Sequence, residues 1–73
     1  MHAVNLYIDE SLSENSFQEL KSELMMDNHV ANVAYHANMP HDMLVEYDEG
    51  YVSPSSIVGH IEAHGLHVDV VGG

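Results

Sequence analysis

The chain has 73 residues, seven of them histidine, and twelve Asp and Glu against a single basic residue, Lys21, for a formal charge of −11 with neutral histidines. That length admits one domain, 1–73, with a small core, and the lack of cysteine excludes disulfides, thiolate metal sites and thiol nucleophiles. The charge excludes nucleic acid and anionic membrane as partners, since both are met through Lys and Arg, and favours cations and basic protein surfaces.

Protonating all seven histidines would bring the charge to −4, so the electrostatics change strongly between about pH 5 and 8. An acidic surface also serves solubility alone, and a salt-adapted host would produce the same balance. No apolar run is long enough to span a membrane. The opening "MHAVNLYIDE" lacks the basic and apolar regions of a secretion signal, and the expectation is a cytoplasmic protein.

Residues 3–9 alternate Val4, Leu6 and Ile8 against Asn5, Tyr7 and Asp9, the period of a half-buried strand. Ser11 with Glu14 forms a capping box, and Ser13 is an alternative N-cap. Phe17, Leu20 and Leu24 then follow at helical spacing to about Met26. Val30, Val33 and Tyr35 open a second strand. "HANMPHDM" at 36–43 reads as a hairpin-like loop, after which Met43, Val45 and Tyr47 share one parity of a third strand. Ser53 followed by Pro54 is a strong helix start, Ile57 and Ile61 give that helix its apolar face, and Gly65 stops it. Leu66, Val68 and Val70 mark a last strand.

The order β–α–β–β–α–β predicts an α+β, ferredoxin-like fold, a four-stranded antiparallel sheet with two helices on one face. In this topology the loop after the first strand, the hairpin and the turn after the second helix lie at one end. His36, Met39, His41, His64 and His67 are expected there, and His29 at the other.

The stretch "VEYDEGYVSPSSIVGHIEAHGLHVDV" at 45–70, with Leu20, Leu24, Val30 and Val33 upstream, resembles the heavy-metal-associated domain of copper chaperones and copper pumps. Tyr47, Asp48, Val52, Ser53, Pro54, Ile57, Ile61, Glu62 and Gly65 match the family's pattern. The resemblance implies a Met-x-Cys-x-x-Cys metal loop after the first strand. Here its cysteine positions fall on Ser13 and Ser16 and its methionine position on Ser11. Hydroxyls are poor Cu(I) ligands, and both serines read as helix-capping residues.

Histidine and methionine offer a replacement donor set for copper, nickel or zinc. The hairpin holds His36, Met39 and His41; these residues also make an ordinary solvated turn around Asn38 and Pro40. Met43 has inward parity and reads as core. His60 and His64 have the one-turn spacing of helical metal clamps, though His60 next to Ile57 and Ile61 also reads as a partly buried, internally bonded histidine. His64 and His67 flank Gly65. Asp9, Glu10 and Glu14 at the same end would raise the local cation concentration, though at a helix N-terminus the favourable dipole is the preferred reason for them. The resemblance implies a sheet order with the third and fourth strands on either side of the first, which separates the hairpin from His64–His67 by about two strand spacings, roughly 10 Å, so half-sites or a metal shared between two chains are the easier geometry.

Three functions fit these residues. One is a small metal-binding or metal-carrier protein using His and Met. Another is a metal-free interaction or regulatory module that meets a basic protein surface or a second copy of itself through a sheet edge. The third rests on Gly72-Gly73, which resemble the C-terminus of ubiquitin-like sulfur carriers; the element order fits that family poorly. An enzyme is not expected: there is no Cys nucleophile, phosphate-binding glycine loop or paired carboxylate to place in a pocket, and a domain this small rarely encloses the cavity that Ser13 or Ser16 with a nearby histidine would need.

Overall fold

The structure, a computed structural model, describes residues 1–36 and 38–72. Its elements are β1 (His2–Ile8), α1 (Glu14–Met25), β2 (Val30–His36), β3 (Met39–Tyr47), α2 (Pro54–Glu62) and β4 (Val68–Gly72). All strand pairs are antiparallel, in the order β2-β3-β1-β4. The expected ferredoxin-like architecture is the observed one.

Each element follows from its own residues. In β1, Val4, Leu6 and Ile8 are buried and the residues between them are not, because successive side chains of a strand point to opposite faces. Ser13 is the N-cap of α1, and its hydroxyl accepts the Ser16 N–H. Ser53 does the same for α2 with the Ser56 N–H, and Pro54 sits in the first turn, where its missing N–H costs nothing. Gly65, with φ of +82°, reverses the chain after α2 in a backbone region that glycine enters without steric cost.

The core is a single layer between sheet and helices. Phe17, Leu20 and Leu24 of α1 and Ile57 and Ile61 of α2 pack over Leu6, Ile8, Val33, Met43, Val45 and Tyr47. Phe17 also stacks on Tyr35, with ring centroids 4.2 Å apart. Met43 is buried, in the core role expected of it.

Three details differ from the sequence reading. Ser13, not Ser11, caps α1, since the helix begins at Glu14. Much of "HANMPHDM" is strand, because β3 already starts at Met39 and His36 registers with Met39. The polar residues there hide the alternation, and Pro40 lies beyond the last pair that β3 makes with β1, Tyr7↔Asp42. Finally, Val70 is 54 % exposed. It lies on an edge strand at a register shift opposite Asn5 and Leu6, and bulges of this kind turn edge residues out of the regular alternation.

Candidate metal centre

The end of the sheet where β1 runs into α1 collects the histidines that the topology places there. Two of them grip the loop between β1 and α1 from opposite sides. From β3, His41 brings its Nδ1 to 2.8 Å from the Ile8 carbonyl oxygen. A carbonyl only accepts, so Nδ1 carries the hydrogen and the lone pair of the neutral ring lies on Nε2. That nitrogen is 3.4 Å from the Ser11 hydroxyl. The His41 ring also stacks on Tyr7 at 5.2 Å between centroids.

On the β4 side, the Glu10 carboxylate takes two hydrogen bonds from one residue. The His67 backbone N–H donates at 2.8 Å and its Nδ1–H at 2.7 Å. Asp9 N–H donates to the His67 carbonyl at 2.9 Å, which ties the two segments together. These bonds hold the Glu10 carboxyl below its ordinary value, with the His67 backbone N–H the largest cause and the ring next. The hydrogen bond and the charge of Glu10 raise His67, helped by Asp9 and Glu62. Both groups are exposed, so water and salt weaken the effect.

His64 and His67 diverge despite flanking one glycine. His64 lies past the end of α2 and pairs through Nε2 with Glu23 of α1, while His67 turns to Glu10. His60 is exposed in the last turn of α2 rather than bonded inside. Met39 is 47 % exposed at the first position of β3. His36 ends β2, and its side chain lies outside the described residues, as does Gly73 of the terminal glycine pair. Among the described residues no three His, Asp or Glu side chains converge on a common point.

The Ser13 hydroxyl donates to the Ser16 hydroxyl at 3.1 Å while accepting the Ser16 N–H. The pair is juxtaposed, but as a helix cap.

Sequence reasoning missed the oxygen partners. Glu10 was read as serving the helix dipole, yet its carboxylate is held by His67, 57 residues away; no local spacing signals such a pair, although the shared end of the topology does. At the opposite end, His2 Nδ1 pairs with Glu49 at 2.9 Å and His29 stacks on Tyr51 at 4.0 Å. That placement of His29 is the expected one.

No protein-family model matches the sequence, and no curated protein matches it. Solved structures do. A copper-binding domain from HMA7, a P-type ATPase, superposes with a TM-score of 0.85 at 17 % identity, over 99 % of this chain and 96 % of that one. The yeast copper transporter domain CCC2A gives 0.83 at 18 % identity, over 97 % and 96 %. A chain described in connection with crosstalk between Cu(I) and Zn(II) homeostasis gives 0.81 at 15 % identity, over 97 % and 100 %. At these identities the likeness is one of fold: the chain has, over nearly its whole length, the fold of copper-binding heavy-metal-associated domains.

Proposed function

We propose that the chain is a divergent heavy-metal-associated domain, cytoplasmic and not itself an enzyme, that binds or carries a transition metal through imidazole in place of thiolate. The observation that carries this reading is the pairing of His67 Nδ1 with Glu10 at 2.7 Å. Metal-ligating histidines usually donate their second ring nitrogen to a carboxylate or a carbonyl, which fixes the tautomer and makes the ring a better donor. His67 is anchored by the carboxylate of Glu10 and His41 by the carbonyl of Ile8, which leaves Nε2 of His67 as the coordinating atom, and that of His41 once the Ser11 hydroxyl gives way. His64 with Glu23, and Met39 and His36 at the hairpin, are further donors at the same end; His60 is the outlying one.

Donor chemistry decides the metal. Ser13 and Ser16 do not fit Cu(I), which takes thiolate and thioether sulfur. Imidazole beside carboxylate fits Zn(II), Ni(II) or Cu(II). His41 approaches the loop from β3 and His67 from the residue before β4, on either side of β1, so each is half of a site, completed by a second chain or by a delivering or receiving partner. Equilibrium dialysis against Zn(II), Ni(II), Cu(II) and Cu(I) tests the reading. Binding of the divalent ions is expected at micromolar concentration, weakened about tenfold or more in His67→Ala and less in Glu10→Gln. Retention of no ion below millimolar would overturn it.

A second reading, an interaction module without metal, is favoured by the capping bonds of Ser13 and Ser16, which use the hydroxyls for helix formation. On that reading, substitution of His41 and His67 together leaves all metal retention unchanged.

A further inference from the structure

The sheet face turned away from the helices carries a pattern of its own. Strand register places Ala34, Leu44 and Asn5 in one row across β2, β3 and β1. The row continues on β4 at Gly72 and its neighbour Val71, the residue left over at the register shift. Val71 is 65 % exposed, Leu44 is half-buried, and these residues with Met39 line a groove of about 460 Å³. On one side the next row is Asp42, Tyr7 and Asp69; on the other it is Asn32, Glu46 and Ala3. A row whose apolar members are Ala34, Leu44 and Val71, interrupted by Asn5, is thus bordered on both sides by carboxylates. The chain's one Lys or Arg is Lys21, in α1 on the covered side.

We propose that this face docks an amphipathic helix of a partner protein, apolar along its centre and rich in Lys or Arg along both flanks. Flanking rows four residues apart along a strand lie about 14 Å from one another. That separation accommodates a helix about 10 Å wide with its side chains and lets its flanking cations reach Asp42 and Asp69 on one side and Glu46 on the other. Three strand spacings span about 14 Å, the length of roughly ten helical residues. A second copy of this chain is a poor occupant, since both molecules would carry −11 and repel. Met39 lines the groove and Tyr7 of one flank stacks on His41, so the test is run in metal-free buffer, where its outcome does not depend on the metal reading.

The test is an amide NMR titration of the full chain with a synthetic helix-forming peptide of leucines in a stripe flanked by lysines. A scrambled peptide of the same composition is the control. Shifts are expected to concentrate at Asn5, Ala34, Leu44 and Val71, and the scrambled peptide should bind about tenfold or more weakly, from loss of roughly one buried leucine contact. Leu44→Glu should weaken binding of the amphipathic peptide by a similar factor; Val71→Lys, at an exposed edge position, checks the same stripe without touching the sheet centre. Equal binding of both peptides, shifts spread over the acids of α1, or indifference to both substitutions in folded protein would overturn the proposal.

Discussion

At the scale of single residues, the Glu10–His67 pair joins the two segments that the fold brings to one end. Its linkage to pH has a definite sign. Glu10 is lowered from 4.5, so its contribution to stability is present above that value and is lost as pH falls through the lowered one. His67 is raised from 6.5, so its contribution is present below that value and is lost as pH rises through the raised one. The stability advantage of the native chain over Glu10→Gln should therefore peak at about pH 5 to 6, fall on both sides, and shrink with added salt. Thermal melts of both proteins across pH check this; a difference independent of pH would mean the pair does not form in solution. Neither partner announces the other in the sequence. His67 is legible as a histidine near a turn glycine, and Glu10 as an acid ahead of a helix, but 57 residues of chain separate them.

At the scale of elements, caps and periodicity carried most of the fold. Ser53-Pro54 and the spacing of Ile57 and Ile61 placed α2 where it lies, because capping and burial are written in adjacent residues. The start of β3 was not legible: Met39, Pro40, His41 and Asp42 grade from exposed to half-buried before the buried Met43, so the two-residue period has no apolar contrast to show. Ser13 is the acceptor that starts α1. Ser13→Ala should cost about 1 kcal/mol, roughly 4–8 °C in melting temperature for a domain of this size. Ser16→Ala, which keeps the capping acceptor, should cost less. Equal losses in the two variants would contradict the capping role.

At the scale of the whole molecule, a fold shared with copper-binding domains at TM-scores above 0.8 coexists with a sequence that has no cysteine to offer copper(I). The loop from β1 into α1 holds the hydroxyls of Ser13 and Ser16 3.1 Å apart, where the sequence resemblance expects a thiolate pair. Ser13→Cys with Ser16→Cys should therefore gain Cu(I) binding that the native chain lacks, read by competition with a chromophoric Cu(I) chelator. A folded double variant that competes no better than the native chain would show that the loop does not share the metal-binding geometry of those domains.

The central claim, that imidazoles anchored through Nδ1 hold a divalent ion at the β1–α1 end, is tested most directly by following the histidine ring resonances during Zn(II) titration. The account predicts that His67 and His41 shift at micromolar Zn(II), with Nε2 as the bound nitrogen, while His29, stacked on Tyr51 at the other end, stays in place. Rings of His67 and His41 that remain unmoved up to millimolar Zn(II), or that move only together with His29, would contradict it.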